Sequence, residues 1–152
     1  MYEPIRTGPA PRSVHSGPPA GTPSDFPHRS REEELDIQLA GHLAALLAVT
    51  DELRALAPAA ELDTAAARLA EQVTRLRGGA APARAAGPGA EHCPATLHRR
   101  AHSLAGRALV VAACRADTTA AIQSAERMDG HAAALTGLAE PAAARKELSA
   151  AH

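Results

Sequence analysis

From Arg31 to the end of the sequence there is no Phe, Tyr or Trp; the chain's two aromatic residues, Tyr2 and Phe26, both lie in its leading segment. Any core formed beyond that point must be built from Ala, Leu, Val, Ile and Met. Aromatic rings bury the most area per residue, so such a core is thin against the conformational entropy it must outweigh. Closely packed helices suit this composition, and self-association is the expected way to bury more surface.

Seven of the twelve prolines fall in residues 1–29, with no apolar period among them. This pattern predicts a disordered, Pro-rich tail with polyproline II character. Of 152 residues, about 110 then remain for a single domain, spanning 30–138.

Order is predicted to begin at Ser30, where Glu33 stands three residues on and Glu32, Glu33 and Glu34 occupy the positive end of a helix. Leu35, Leu39, Leu46, Val49, Leu53 and Leu56 then recur along one helical stripe that stops near Pro58. A second helix reads from about Ala59 to Arg77, with Leu62, Ala66, Leu69, Val73 and Leu76 inward and Gly78 after it.

Residues 78–92 are loaded with Gly, Pro and Ala and read as a flexible loop. Pro94 suits a first helical position, and Leu97, Ala101, Leu104, Ala108 and Val111 follow at heptad-like steps as far as Arg115. Beyond it, Asp117 can cap a fourth helix that carries Ala121, Ile122, Ala125, Met128, Ala132 and Leu135 inward, with Asp129-Gly130 as a possible break. Residues 139–152 read as a frayed tail.

The fold class that follows is all-α: an antiparallel four-helix bundle of two helical hairpins with a disordered Pro-rich N-terminal tail. The alternative is three helices, with residues 94–138 forming one long helix. That helix would be about 67 Å long and would overhang every partner, which favours the turn near Ala116.

The net charge of −1 gives no general attraction to nucleic acid or to an anionic membrane. The basic run Leu97-His98-Arg99-Arg100-Ala101-His102 carries no recognition-helix motif, so neither nucleic acid nor a membrane is an expected partner. Charge is nonetheless segregated: the first helix has six acidic and two basic residues, while the third has Arg99, Arg100, Arg107 and Arg115 and no acid. The start of the chain has no apolar signal region and no stretch is long enough for a membrane span, so a cytoplasmic location is expected. Cys93 and Cys114, about 31 Å apart on a continuous helix, are expected to be reduced thiols, with Cys114 a small core residue.

No phosphate-binding loop, nucleophile elbow or zinc-finger spacing occurs, and no enzyme activity is expected. The histidines are the one enrichment with chemical content. His98 and His102 are four apart on one helical face, as a metal-binding pair would be. In an up-down-up-down bundle His131 comes level with them, and His42, lying between Leu39 and Leu46, joins from the first helix. His42, His98, His102 and His131, with Cys93 upstream, are therefore the candidate ligands for zinc, nickel or copper.

Arg outnumbers Lys fifteen to one and Ala makes up about a quarter of the chain. With this bias, the segments Ala105–Ala113 and Glu126–Asp129 resemble small uncharacterised helical proteins of high-GC actinobacteria, a resemblance that implies no activity. The expected function is a non-enzymatic protein-protein interaction or regulatory module that associates first with itself and then with an as yet unidentified protein partner. A metal-binding or metal-sensing bundle is the alternative.

Overall fold

The computed structural model describes residues 29–85, 87 and 93–150, apart from the side chains of 141–144. Nearly all of the tail read as disordered, and part of the loop at 78–92, lie outside the described residues. Four helices follow in order: α1 (Arg31–Leu56), α2 (Ala60–Leu76), α3 (Pro94–Arg115) and α4 (Thr118–Ala150). They form the antiparallel four-helix bundle, with the turn at Ala116 in place of one long third helix.

Local chemistry sets the ends of these helices. Ser30 Oγ accepts from Glu33 N at 3.1 Å while the Glu33 carboxylate accepts from Ser30 N at 2.9 Å, which closes the capping box at the start of α1. Gly78 and Gly79 take φ of +67° and +101°, and Gly79 N donates to Thr74 O at 2.8 Å, so the end of α2 needs residues without a Cβ penalty. Ala116 ends α3 in the left-handed region at φ 57°, and Asp117 Oδ1 accepts from Ala120 N at 3.1 Å to start α4.

Direction follows from which ends meet. Arg115, at the end of α3, donates to Asp36, near the start of α1, at 2.9 Å. These two helices are thus antiparallel, as α1 is to α2 and α3 is to α4. The order is up, down, down, up, and the link from α2 to α3 must climb the length of the bundle. It does so beside α1: Leu76 at the foot shares a groove with Ile37, and by residue 84 the chain has reached Asp51. The rise from the level of Asp36 to Asp51 is about 22 Å, which eight residues can span only if nearly extended. Sequence pattern gives no sign of this crossover, because Gly, Pro and Ala mark a loop without marking its path.

The core is leucine on α1 and alanine on α3. Leu39, Leu43, Leu46, Leu47, Val49 and Leu53 are buried on the first helix, and Leu97, Ala101, Ala105, Ala108 and Ala112 on the third. Leu104 and Val111, expected at the centre, instead pack on its edge. With alanine at the contact, α3 can approach both α1 and α4 closely. Cys114, expected in the core, is exposed, since it lies about 200° around the helix from Ala112.

The fourth helix differs most from the expected pattern. Its buried face is Ala120, Gln123, Ser124 and His131, whereas Ile122 is 54% exposed and Ala132 is exposed. Three ion pairs to α2 accompany this rotation: Arg75 with Asp117, just before α4, at 2.6 Å, Arg68 with Glu126 at 3.0 Å and Glu61 with Arg127 at 2.8 Å. Ser124 satisfies its own hydroxyl by donating to Ala120 O at 2.7 Å. Asp129-Gly130 does not interrupt the helix, and Gly130 leaves room for the Glu61 carboxylate, which would lie 3.3 Å from an added Cβ. Residues 139–150, read from the sequence as part of a tail, continue α4 to Ala150.

Candidate functional site

Near the first turns of α2 and α3, against the middle of α4, the bundle holds a buried histidine pair. His98, in the second turn of α3, and His131, on the buried stripe of α4, bring their Nδ1 atoms to 3.0 Å, with ring centroids 5.3 Å apart and a tilt of 50°. His131 is 1% exposed. Burial lowers its pKa to about 4, with the fields of His98, Arg127 and His102 acting in the same direction and Glu61 opposing them. Burial likewise lowers the pKa of His98, again against Glu61.

Both rings are therefore neutral near pH 7, and a single proton lies between the facing nitrogens. If His98 donated it, His131 would carry its own proton on Nε2, a buried atom with no hydrogen-bond partner among the described residues. Donation by His131 leaves only a bare lone pair there, the less costly arrangement. The pair is thus a neutral, closed contact whose outer ring nitrogen is unsatisfied. Gln123 Nε2, two turns earlier on α4, is the other buried side-chain atom without a partner among the described residues.

His98 and His131 are the only two of the four candidate ligands brought into contact. His102 stands one turn beyond His98, close enough to act electrostatically on His131. His42 is elsewhere, in an open groove of about 420 Å³ between α1 and α3 with Ser103, Gly106, Arg107, Val110 and Val111. The expectation that it joins the others required α1 to start at the level of His131, and the crossover reverses that direction. Leu43 takes the core position in its place. Among the described residues no group of three or more His, Cys, Asp or Glu side chains is gathered as a cation site. Cys93 is exposed at the start of α3.

A second polar focus was not visible in the sequence. Asp51, on α1 and 7% exposed, accepts two hydrogen bonds from Arg84 at 2.9 and 2.8 Å, one from Arg54 at 3.0 Å and one from Ala85 N at 3.3 Å. The hydrogen bond from Arg84 is the main reason its carboxyl pKa falls below the ordinary value, although burial acts against this. Here the buried charge anchors the crossover. The one available signal was that Asp51 stands four residues after Leu47, on the same helical face.

The outer surface supplies the third feature. Large apolar side chains face solvent at the foot of the bundle, with Ile37 48%, Val110 63% and Ile122 54% exposed. Arg100 and Arg107 on α3 have no ion pair among the described residues, and Arg99 bonds only Thr96. No helix among the described residues is long and apolar enough to cross a membrane. No family model, no curated protein and no solved structure matches this chain, so its function has to be read from its own residues.

Proposed function

We propose that the protein is a non-enzymatic helical interaction module whose first partner is a second copy of itself. One observation carries this reading: the bundle buries alanine along α3 and turns Val110, Ile37 and Ile122 outward at one end. Large apolar side chains left outside on α1, α3 and α4 gain by association a burial that folding alone does not give them. The thin core gives the same incentive. The polar clusters also suit a structural role, since His131 and Asp51 are closed off by their own neighbours and do not converge on an open cleft.

Sedimentation velocity of the full chain across a concentration series tests this. A mass of two chains that falls to one on dilution, and is weakened by Val110→Glu, is the expected result. A single-chain mass at millimolar concentration overturns it.

A second reading, a transition-metal site, is favoured by one observation: two neutral imidazole nitrogens 3.0 Å apart, a spacing that two ligands of one ion can adopt. Native mass spectrometry of protein taken from its own host decides between them. A fixed increment of one metal per chain, lost in His98→Ala, supports the metal reading; the bare chain mass removes it.

A further inference from the structure

We infer that the dimer forms through the face shared by α1 and α3, with the two copies related by a two-fold axis parallel to the helices. This rests on the proposed self-association and adds its surface and register.

The acidic helix and the basic helix are neighbours on one side of the bundle, joined at the foot by Arg115 and Asp36. Among the described residues Glu52 on α1 and Arg100 and Arg107 on α3 have no ion pair, so this side presents an unpaired acid beside unpaired bases, which is self-complementary under a two-fold rotation because α1 of each copy then lies over α3 of the other. A rotation about an axis parallel to the helices also preserves height along the bundle, so register can be counted from the Asp36–Arg115 pair.

Sixteen residues on from Asp36 is Glu52, and sixteen back from Arg115 is Arg99, with Arg100 beside it. Neither Glu52 nor Arg100 has an ion pair within its own chain among the described residues, and in the dimer these levels face each other. Five residues on from Asp36 is Gly41, and five back from Arg115 is Val110. Val110 is 63% exposed, and a Cβ added at Gly41 would meet nothing within 4 Å. A projecting apolar side chain and a vacant position thus lie at one height, on the two helices that the two-fold axis superposes. The open groove of about 420 Å³ beside Val110 gives the partner helix room to settle.

The test is a charge swap read by dimer dissociation constant, with circular dichroism as the check on fold. Glu52→Arg alone, Arg100→Glu alone and Val110→Glu alone are each expected to weaken the dimer about tenfold or more, and Glu52→Arg combined with Arg100→Glu to return it to within about threefold of wild type. A wild-type dimer that none of these variants weakens, or a double variant no tighter than the singles, overturns this interface and leaves self-association standing. A wild-type chain that is monomeric overturns both.

Discussion

Arg84 holds Asp51 with two nitrogens of its guanidinium, Nε to Oδ2 at 2.9 Å and Nη2 to Oδ1 at 2.8 Å, across 33 positions of sequence. This bidentate contact ties the crossover to α1 and so lets α3 enter at the head of the bundle. Arg54, at 3.0 Å from the same carboxylate, also pairs with Asp63 on α2, so one acid links three segments of chain.

Replacing Asp51 by Ala should therefore cost about 2 kcal/mol, the range for hydrogen bonds to a charged group, and should loosen the crossover before the helices. Urea unfolding gives the total, and amide exchange at Ala85 gives the location. Arg84→Ala should show the same local exchange with a smaller total, because Arg54 remains on the carboxylate.

Acid should destabilise the fold earlier than its carboxylates alone would dictate. His131 titrates near 6.5 when unfolded and at about 4 when folded, so between those values the unfolded chain binds the extra proton and stability falls as pH falls. The full effect is about 3 kcal/mol, complete by about pH 4. Asp51 and Asp117, whose pKa values are lowered in the fold, add their losses only below the ordinary carboxylate range. In His131→Leu the stability curve from pH 6.5 to 4 should flatten; an unchanged slope would show that another group controls it.

Gln123 buries an amide nitrogen without a partner among the described residues, so Gln123→Leu should stabilise the bundle by about 1 kcal/mol. Thermal unfolding at pH 7 would register this as a higher midpoint. A loss would mean that the amide is bonded in solution.

The alanine face of α3 leaves no space for a larger side chain. Ala105→Leu, at a fully buried position, should cost roughly 1–3 kcal/mol by forcing α1 and α4 away from α3, whereas Ala113→Leu on the exposed side should be nearly neutral. Equal effects at the two positions would contradict the close packing.

What the sequence disclosed is what local chemistry controls. The Ser30–Glu33 capping box, Gly78 after α2, Pro94 at the head of α3 and Asp117 before α4 set helix ends through contacts a few residues long, and each reads directly from spacing. Helix rotation was less legible. On α4 the apolar period pointed to Ile122 and Ala132, but the buried face is the one that packs on the alanines of α3, with Ala120, Gln123, Ser124 and His131. Direction was not legible at all, since a single distant pair, Arg84 with Asp51, determines where the crossover goes. The candidate site inherited both difficulties: His98 and His131 meet because α3 and α4 form a hairpin, and His42 is absent because α1 starts at the opposite end.

The up, down, down, up order also governs where the chain leaves the bundle. α1 starts at the foot and α4 ends beyond the head, so whatever precedes Arg29 and whatever follows Ala150 depart from opposite poles, separated by about 50 Å along the 33-residue α4. A group attached at Arg29 is held away from one attached at Ala150, and the bundle acts as a strut between them. Joining Arg29 directly to Ala150 in a circular permutant would need a linker as long as the molecule, unlike the many domains whose ends lie side by side.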